Sequence, residues 1–127
     1  MRNKILIIDD EEDFAYFIKA NLELVSNYEV MIYIKGKKGL KAAVKEKPVL
    51  ILLDIMMPGM DGFEVLKRLK KSEKTMRIPV IMLTARNEDE SKIEAAGLYC
   101  EDYIVKPVEM RVLNSKIHKI LSITEKR

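Results

Sequence analysis

Five polar residues with the chemistry to act together stand at or just beyond the ends of short apolar runs: Asp9, Asp10, Asp54, Thr84 and Lys106. Three carboxylates, a hydroxyl and an amine are groups that could hold a divalent cation and a phosphoryl group. Carboxylates packed together repel, and each pair ~4 Å apart costs roughly 4 kcal/mol at an effective dielectric constant of 20. If the fold gathers these acids, either their pKa values rise or a cation lies among them.

The apolar runs before these residues are typical of buried parallel strands. They end at Ile8, Leu53, Leu83 and Val105, and segments of helix length separate them. In an open α/β sheet, ligands bind in the crevice beyond the carboxyl ends of the strands. We therefore expect all five polar side chains on one rim of the sheet.

Strands and helices alternate along the whole chain. Strands are predicted near residues 4–8, 29–34, 49–54, 80–83 and 103–105. The first helix is expected to bury one stripe of side chains: Phe14, Phe17, Ile18, Leu22 and Val25. The fourth helix, beginning near Asn87, is short and weakly apolar. Five βα units predict an α/β fold of the flavodoxin-like kind: a doubly wound, five-stranded parallel sheet in the order 2-1-3-4-5, with helices on both faces.

The length and composition indicate a single globular domain over residues 1–127, and no further domain is expected in this chain. Apolar residues make up 48% of the sequence, which is enough for a core. The longest apolar run is too short for a membrane span, and the N-terminus lacks the apolar stretch of a signal peptide. Cys100 is the single cysteine, so no disulfide framework or thiolate metal site is expected. A cytoplasmic protein is expected on these grounds.

The charge pattern gives little reason to expect a nucleic-acid partner. The formal net charge is only +3. Lys37, Lys41 and Lys45 repeat every four residues, which places them on one face of the second helix. A solvated helix face is the favoured interpretation, ahead of a phosphate-binding surface.

Taken in order, the motifs resemble the receiver domain of bacterial two-component response regulators. Residues 53–62, which end in Pro-Gly-Met-Asp-Gly, are similar to the phosphoacceptor loop of that family. Residues 9–12, 83–85 and 103–107 match its other motifs, and the separations fit without gaps. The resemblance covers the whole chain. It implies a phosphorelay signalling domain rather than a turnover enzyme.

The residues themselves support the same chemistry. Asp54 ends the central strand, between the acid pair and the lysine, and is the best-placed nucleophile; an attacking aspartate yields an acyl phosphate. Lys106 adds a fixed cation and Thr84 a hydroxyl donor for the oxygens of a transferring phosphoryl group. The resemblance implies that the phosphoryl group comes from a phosphohistidine on a sensor histidine kinase or a histidine phosphotransfer protein.

An oxygen-only ligand set on an exposed rim suits Mg²⁺, which retains several waters. We predict that Asp10, Asp54 and the backbone carbonyl of Met56 bind this ion, with Asp9 acting mainly through water. Met56 enters the set because it lies two residues past Asp54, where the loop turns back toward the rim.

The resemblance also implies a switch. Tyr103 is expected to swing inward as Thr84 moves toward the phosphoryl group, repacking the surface of helix 4, strand 5 and helix 5. Met56 and Arg86 are implied to tune hydrolysis of the acyl phosphate, and Pro107 is implied to follow a cis peptide bond. A downstream protein or a fused output domain would bind the switched surface. The receiver domain itself is expected to be a monomer, or a dimer on phosphorylation. It is expected to make no direct contact with nucleic acid or a membrane.

Four positions depart from the family pattern. Tyr99 stands where Gly is usual, Tyr33 where a small residue is usual, Val49 where Asp is common and Val108 where Phe is common. None of these removes a reacting group. Because two of them affect the local chain path and the switching surface, the identity of the partner does not transfer with the resemblance.

Two other functions compete with this interpretation. A haloacid-dehalogenase-type phosphatase also uses an aspartate after a central strand, but it needs a second Asp two positions on as its acid/base, and here that residue is Met56. A degenerate receiver that only binds a partner would be expected to lack reactive residues, and this chain has all five.

Overall fold

The computed structural model describes residues 3–85, 97 and 99–125. Its strands are β1 (Asn3–Ile8), β2 (Tyr28–Tyr33), β3 (Leu50–Asp54), β4 (Val80–Thr84) and β5 (Asp102–Val105). Its helices are α1 (Glu12–Val25), α2 (Gly36–Glu46), α3 (Gly62–Lys71) and α4 (Met110–Glu125). Helix α4 is the predicted fifth helix, because the segment predicted as the fourth, together with Arg86, lies outside the described residues.

All five strands are parallel and pair in the order β2-β1-β3-β4-β5, which confirms the predicted topology. Strand β1 lies between β2 and β3, with Ile5 opposite both Val30 and Leu50. Further along the sheet, Asp54 of β3 lies opposite Leu83 of β4. The carboxyl ends of the strands therefore share one edge, as the motif positions require.

Two hydrophobic clusters cover the two faces of the sheet, since successive side chains of a strand point to opposite faces. One face packs against α2 and α3 through buried side chains that include Leu6, Leu53, Met82 and Leu66. The other packs against α1 and α4 through the remaining core: Ile5, Ile7, Ala15, Ile18, Leu22, Val30, Leu50, Leu52, Ile81, Leu83, Ile104, Leu113, Ile117 and Leu121. Helices on both faces confirm the doubly wound arrangement.

The predicted stripe of α1 was wrong at two positions. Ala15, Ile18 and Leu22 are buried as the core-facing residues of the helix, whereas Phe17 is 53% exposed and Val25 64% exposed. Phe17 precedes Ile18 and is rotated about 100° away from it around the helix, so it leaves the sheet-facing side. Val25 is the last residue of the helix, where the chain turns toward β2.

The positions that depart from the family pattern are accommodated without disturbing the sheet. Tyr99 is exposed, and its ring lies 5.8 Å from the ammonium nitrogen of Lys70 on α3. Tyr33 packs at the edge of the α2–α3 core, and Val108 at the edge of the α1–α4 core. The Lys106–Pro107 peptide bond is cis, as the resemblance implied. None of the described helices has the length and apolar character needed to cross a bilayer.

Candidate functional site

Backbone hydrogen bonds extend the sheet ladder past the strand ends and fix the residues on the rim. The amide of Asp9 donates to the carbonyl of Tyr33 at 3.0 Å, and the amide of Lys106 donates to the carbonyl of Thr84 at 2.7 Å. Next to Asp54, the amide of Ile55 donates to the carbonyl of Leu83 at 3.1 Å. The chain is therefore held in place where the reactive side chains emerge.

A close backbone approach anchors α3 against the end of β3. The amide of Gly62 donates to the carbonyl of Ile55 at 2.8 Å. A Cβ atom at position 62 would lie 2.6 Å from the Cα of Ile55 and would also collide with the carbonyl oxygen of Asp54. Asp61 caps the helix by accepting a hydrogen bond from the amide of Glu64 at 3.0 Å. Only glycine fits at position 62, so the loop that follows β3 and the start of α3 are packed as one unit.

Lys106 is the centre of the site. Its ammonium nitrogen lies 2.8 Å from Glu11 Oε1, 3.0 Å from Asp9 Oδ2 and 3.4 Å from Asp54 Oδ1. It also lies 4.5 Å from the centroid of the Phe14 ring, in the range of a cation–π contact. One cation thus contacts three carboxylates from two strand ends and the start of α1.

Burial dominates the electrostatics of the two inner carboxylates. Asp9 is fully buried and Asp54 is 4% exposed. Burial, reinforced by the charge of Asp9 and opposed by Lys106, raises the pKa of Asp54 to about 7. Burial also raises the pKa of Asp9, against a backbone hydrogen bond from Glu11 and the charge of Lys106. For Lys106, burial lowers the pKa, but the hydrogen bond to Glu11 and the charge of Asp9 outweigh it, and the net shift is upward.

The carboxylates form a group that could hold a cation. Oxygens of Asp9, Glu11 and Asp54 all lie within 4.8 Å of one another. An oxygen-only donor set of this kind fits Mg²⁺. Asp10 is half-buried and lies outside this group, although its negative charge contributes to the raised pKa of Asp54. The Met56 side chain, in the loop that follows β3, is exposed.

Glu11 is the residue that sequence reasoning missed. It belongs to the acidic run of residues 9–12, but only the Asp9–Asp10 pair was assigned a role. The run itself was the available signal. Choosing among its members required the direction in which the chain leaves β1.

Thr84 and Tyr103 share one side of the sheet. Thr84 is fully buried, two residues after Met82, which lies in the α2–α3 core. Tyr103 pairs with Met82 across the β4–β5 ladder and packs against the same core. The two side chains implied to move together therefore project to the same face, because side chains two residues apart on a strand are on one side.

Comparison with known proteins decides the family. The family model described as the response regulator receiver domain matches residues 5–118. The chain belongs to this family. As a receiver domain it is a module of two-component systems, consistent with a signalling role rather than with that of a turnover enzyme.

Its relatives include transcriptional regulators. The receiver domain is 40% identical to the alkaline phosphatase synthesis transcriptional regulatory protein PhoP of Bacillus subtilis, over 98% of this chain and 51% of that protein. It is also 40% identical to the phosphate regulon transcriptional regulatory protein PhoB of Pseudomonas aeruginosa, over 94% of this chain and 52% of that protein. The chain therefore spans about half the length of these curated relatives.

Solved structures agree with the fold. A CheY-like response regulator receiver domain protein from Methanospirillum hungatei has a TM-score of 0.87 and 33% identity, covering 99% of this chain and 98% of that one. The receiver domain of the Francisella response regulator 1452 has a TM-score of 0.85 and 31% identity, covering 97% of this chain and 99% of that one. Two solved receiver domains thus share the fold described above.

Proposed function

We propose that this receiver domain accepts a phosphoryl group on Asp54 from the phosphohistidine of a sensor histidine kinase or a histidine phosphotransfer protein. The observation that carries the proposal is the position of the Asp54 carboxylate: buried, at the end of the central strand, and 3.4 Å from the ammonium of Lys106. A buried carboxylate surrounded by further acids has no evident structural role. It is well suited to in-line attack on a bound phosphoryl group.

In the transfer, an Asp54 oxygen forms a bond to phosphorus while the bond from phosphorus to the histidine ring nitrogen breaks. The leaving nitrogen takes the bonding electron pair. Lys106 approaches the phosphoryl oxygens as a cation, and the Thr84 hydroxyl donates a hydrogen bond to one of them. Asp54 must be ionised to attack, so its raised pKa has to be offset when substrate binds.

A divalent cation held by the acidic rim would provide that offset. We assign Mg²⁺ to Asp10, Asp54 and the Met56 carbonyl, with Asp9 acting through water, and the acidic group of the rim supports an oxygen-ligated ion there. When bound, Mg²⁺ neutralises charge on the carboxylates and the phosphoryl oxygens. The chain's own residues then orient the acceptor and exclude water from it.

The output follows from the same site. Phosphorylation of Asp54 draws Thr84 inward and changes the surface formed by β5, α4 and the predicted fourth helix, which lies outside the described residues. A fused output domain or a separate downstream protein reads this change in the cytoplasm, with the receiver acting as a monomer or as a dimer formed on phosphorylation. The two relatives named above are transcriptional regulators about twice as long, which supports a fused domain.

The test is phosphorylation by a small phosphodonor. Intact mass should show one added phosphate that hydroxylamine removes, as expected for an acyl phosphate. The Asp54→Asn variant should gain none, and EDTA should abolish labelling of the parent. Equal labelling of Asp54→Asn and the parent would refute the acceptor assignment, and undiminished labelling in EDTA would refute the metal dependence.

A further inference from the structure

The ammonium of Lys106 is held on the α1 side of the site, away from the acceptor. Its shortest contact is with Glu11 at 2.8 Å, and its longest carboxylate contact is with Asp54 at 3.4 Å. Charge-assisted N–H···O bonds are normally about 2.7–2.9 Å long. The contact with Glu11 has this length, whereas the contact with Asp54 does not.

Two features of α1 define this holding position. Glu11 directly precedes the helix, and its exposed side chain reaches back over the rim to Lys106. The ring of Phe14, in the first turn of the helix, lies 4.5 Å from the same ammonium. Glu11 lies within the acidic motif of residues 9–12 and Phe14 lies in α1, and neither is among the five residues to which a reacting or metal-binding role is assigned.

A phosphoryl group on Asp54 would compete with Glu11 for one cation. To reach phosphoryl oxygens at hydrogen-bonding distance, the ammonium has to move toward Asp54 from its present 3.4 Å separation. That movement lengthens the contacts with Glu11 and Phe14 on the other side. The unphosphorylated arrangement is therefore stabilised by interactions that the transfer must break.

We propose that Glu11 is a positioning residue that holds Lys106 away from Asp54 and so slows phosphorylation of this receiver domain. The inference rests on the proposed function, because it concerns the cation that assists transfer to Asp54. Phe14 supports the same position through its ring face. The backbone amide of Glu11, which donates to Asp9 Oδ1 at 2.9 Å, remains in any variant of this residue, so the effect belongs to the side chain.

The chain provides a matched pair of variants. Glu11→Gln removes the charge that holds Lys106 and keeps the shape of the side chain. Glu12→Gln removes the same charge one residue later, on an exposed glutamate for which the structure records no bond to Lys106. With a small phosphodonor and saturating Mg²⁺, the maximal phosphorylation rate should rise about two- to fivefold in Glu11→Gln, the range for losing one exposed ion pair. It should stay at the parent value in Glu12→Gln.

A spectroscopic measurement reads the position of Lys106 without phosphate transfer. The Phe14 ring should shift the NMR resonances of the Lys106 ε-methylene protons of the parent away from their usual position. Beryllofluoride with Mg²⁺, which mimics the acyl phosphate, should remove this shift. In Glu11→Gln the shift should already be reduced before beryllofluoride is added, and in Glu12→Gln it should be unchanged.

The outcomes separate the proposals. If Glu11→Gln is slower than the parent and binds Mg²⁺ more weakly, Glu11 is a metal ligand and the holding role is wrong. Equal maximal rates in Glu11→Gln and the parent, or an effect confined to the donor concentration at half-maximal rate, would also overturn it. Failure of the parent to label at Asp54 would instead refute the proposed function, and the Lys106 resonances would still show whether Glu11 holds the lysine.

Discussion

Asp54 and Lys106 lie 3.4 Å apart, yet the lysine does not cancel the cost of burying the aspartate. The pKa of Asp54 stays near 7 because burial and the charge of Asp9 together outweigh the attraction of Lys106. Without a divalent cation, the Asp54 carboxyl group is therefore partly protonated at neutral pH. This imbalance affects both stability and reactivity.

The first prediction concerns stability against pH. In EDTA, ionised Asp54 should destabilise the fold: its folded pKa of about 7 exceeds the ordinary 3.8, so the native state binds more protons between these values. Its contribution to the free energy of unfolding therefore falls as pH rises through that window. Asp54→Asn should be more stable than the parent above pH 7, by up to about 4 kcal/mol, since the pKa of Asp54 rises from 3.8 to about 7 and each pKa unit corresponds to about 1.4 kcal/mol. The difference should vanish near pH 4.

Urea denaturation across this pH range provides the measurement. Asp13→Asn, at an exposed carboxylate in the first turn of α1, removes a charge outside the buried group and serves as the control, and it should be no more stable than the parent above pH 7. A constant offset between Asp54→Asn and the parent from pH 4 to pH 8 would show that burial of the Asp54 charge is not the cause.

The second prediction concerns the metal ligands. Asp10→Ala should lose at least roughly tenfold in Mg²⁺ affinity, and Asp9→Asn less, because Asp9 is expected to act through water and is already engaged by Lys106. Isothermal titration of Mg²⁺ into each variant provides the comparison. Unchanged affinity in Asp10→Ala would contradict the ligand set and leave the ion to the carboxylate group of Asp9, Glu11 and Asp54.

The third prediction concerns the lifetime of the acyl phosphate. Met56 lies two residues after Asp54 and is 56% exposed, and its thioether is too weak a hydrogen-bond acceptor to orient an attacking water. Met56→Asn introduces an amide that can do so, and the lifetime should shorten. Decay of phosphate from purified phosphoprotein gives the rate, with Met76→Asn, at another exposed methionine, as the control. An unchanged or longer lifetime in Met56→Asn would contradict the role of Met56 in the timing of hydrolysis. The second implied tuning residue, Arg86, lies outside the described part of the chain.

The fourth prediction concerns the switch. Addition of beryllofluoride and Mg²⁺ should move amide resonances over residues 84–96 and 102–108, beyond the loops that touch the anion. The reason is that Thr84 and Tyr103 project to the same face of the sheet on neighbouring strands, so a shift of one changes the space open to the other. The conformations before and after this movement need differ by only a few kcal/mol in free energy, so the protein should sample both without phosphate.

Thr84→Ala should lose the response over residues 102–108. Thr124→Ala, at an exposed threonine on α4, should respond like the parent. Shifts confined to the acidic rim in the parent, or a full response in Thr84→Ala, would place signalling on another surface.

The fifth prediction concerns the anchor of the acceptor loop. Gly62→Ala should destabilise the protein by about 1–3 kcal/mol, as overpacking does, and should slow phosphorylation because the added Cβ displaces the backbone of Asp54. Gly59→Ala is the matched comparison, because Gly59 has open space around it but a φ of +77°. Backbone strain should lower the free energy of unfolding of this variant by about 1–2 kcal/mol, and its phosphorylation rate should equal that of the parent. Equal rates in Gly62→Ala and the parent would show that the loop does not depend on this packing.

The strand order and the shared rim could be predicted from the sequence because the signals are local. The run before Asp54 is apolar throughout, which occurs when both faces of a strand are buried, and that burial is observed. The position of Glu11 could not be predicted, since an acidic run gives no sign of which member faces a lysine far along the chain. The predicted burial of Phe17 was wrong for a related reason, because hydrophobicity alone does not show which side of a helix faces the sheet.

The contact between Lys106 and Asp9 joins residues 97 positions apart. The first strand and the last one therefore both have to be in place before the ammonium can balance the buried acids. Contacts of such long sequence separation are slow to form, because the chain entropy lost in closing the loop precedes any gain. A chain still leaving the ribosome, with β5 unfinished, would have three mutually repelling carboxylates and no lysine between them. Under the proposed function, competence to receive a phosphoryl group would therefore be acquired only after β5 has joined the sheet.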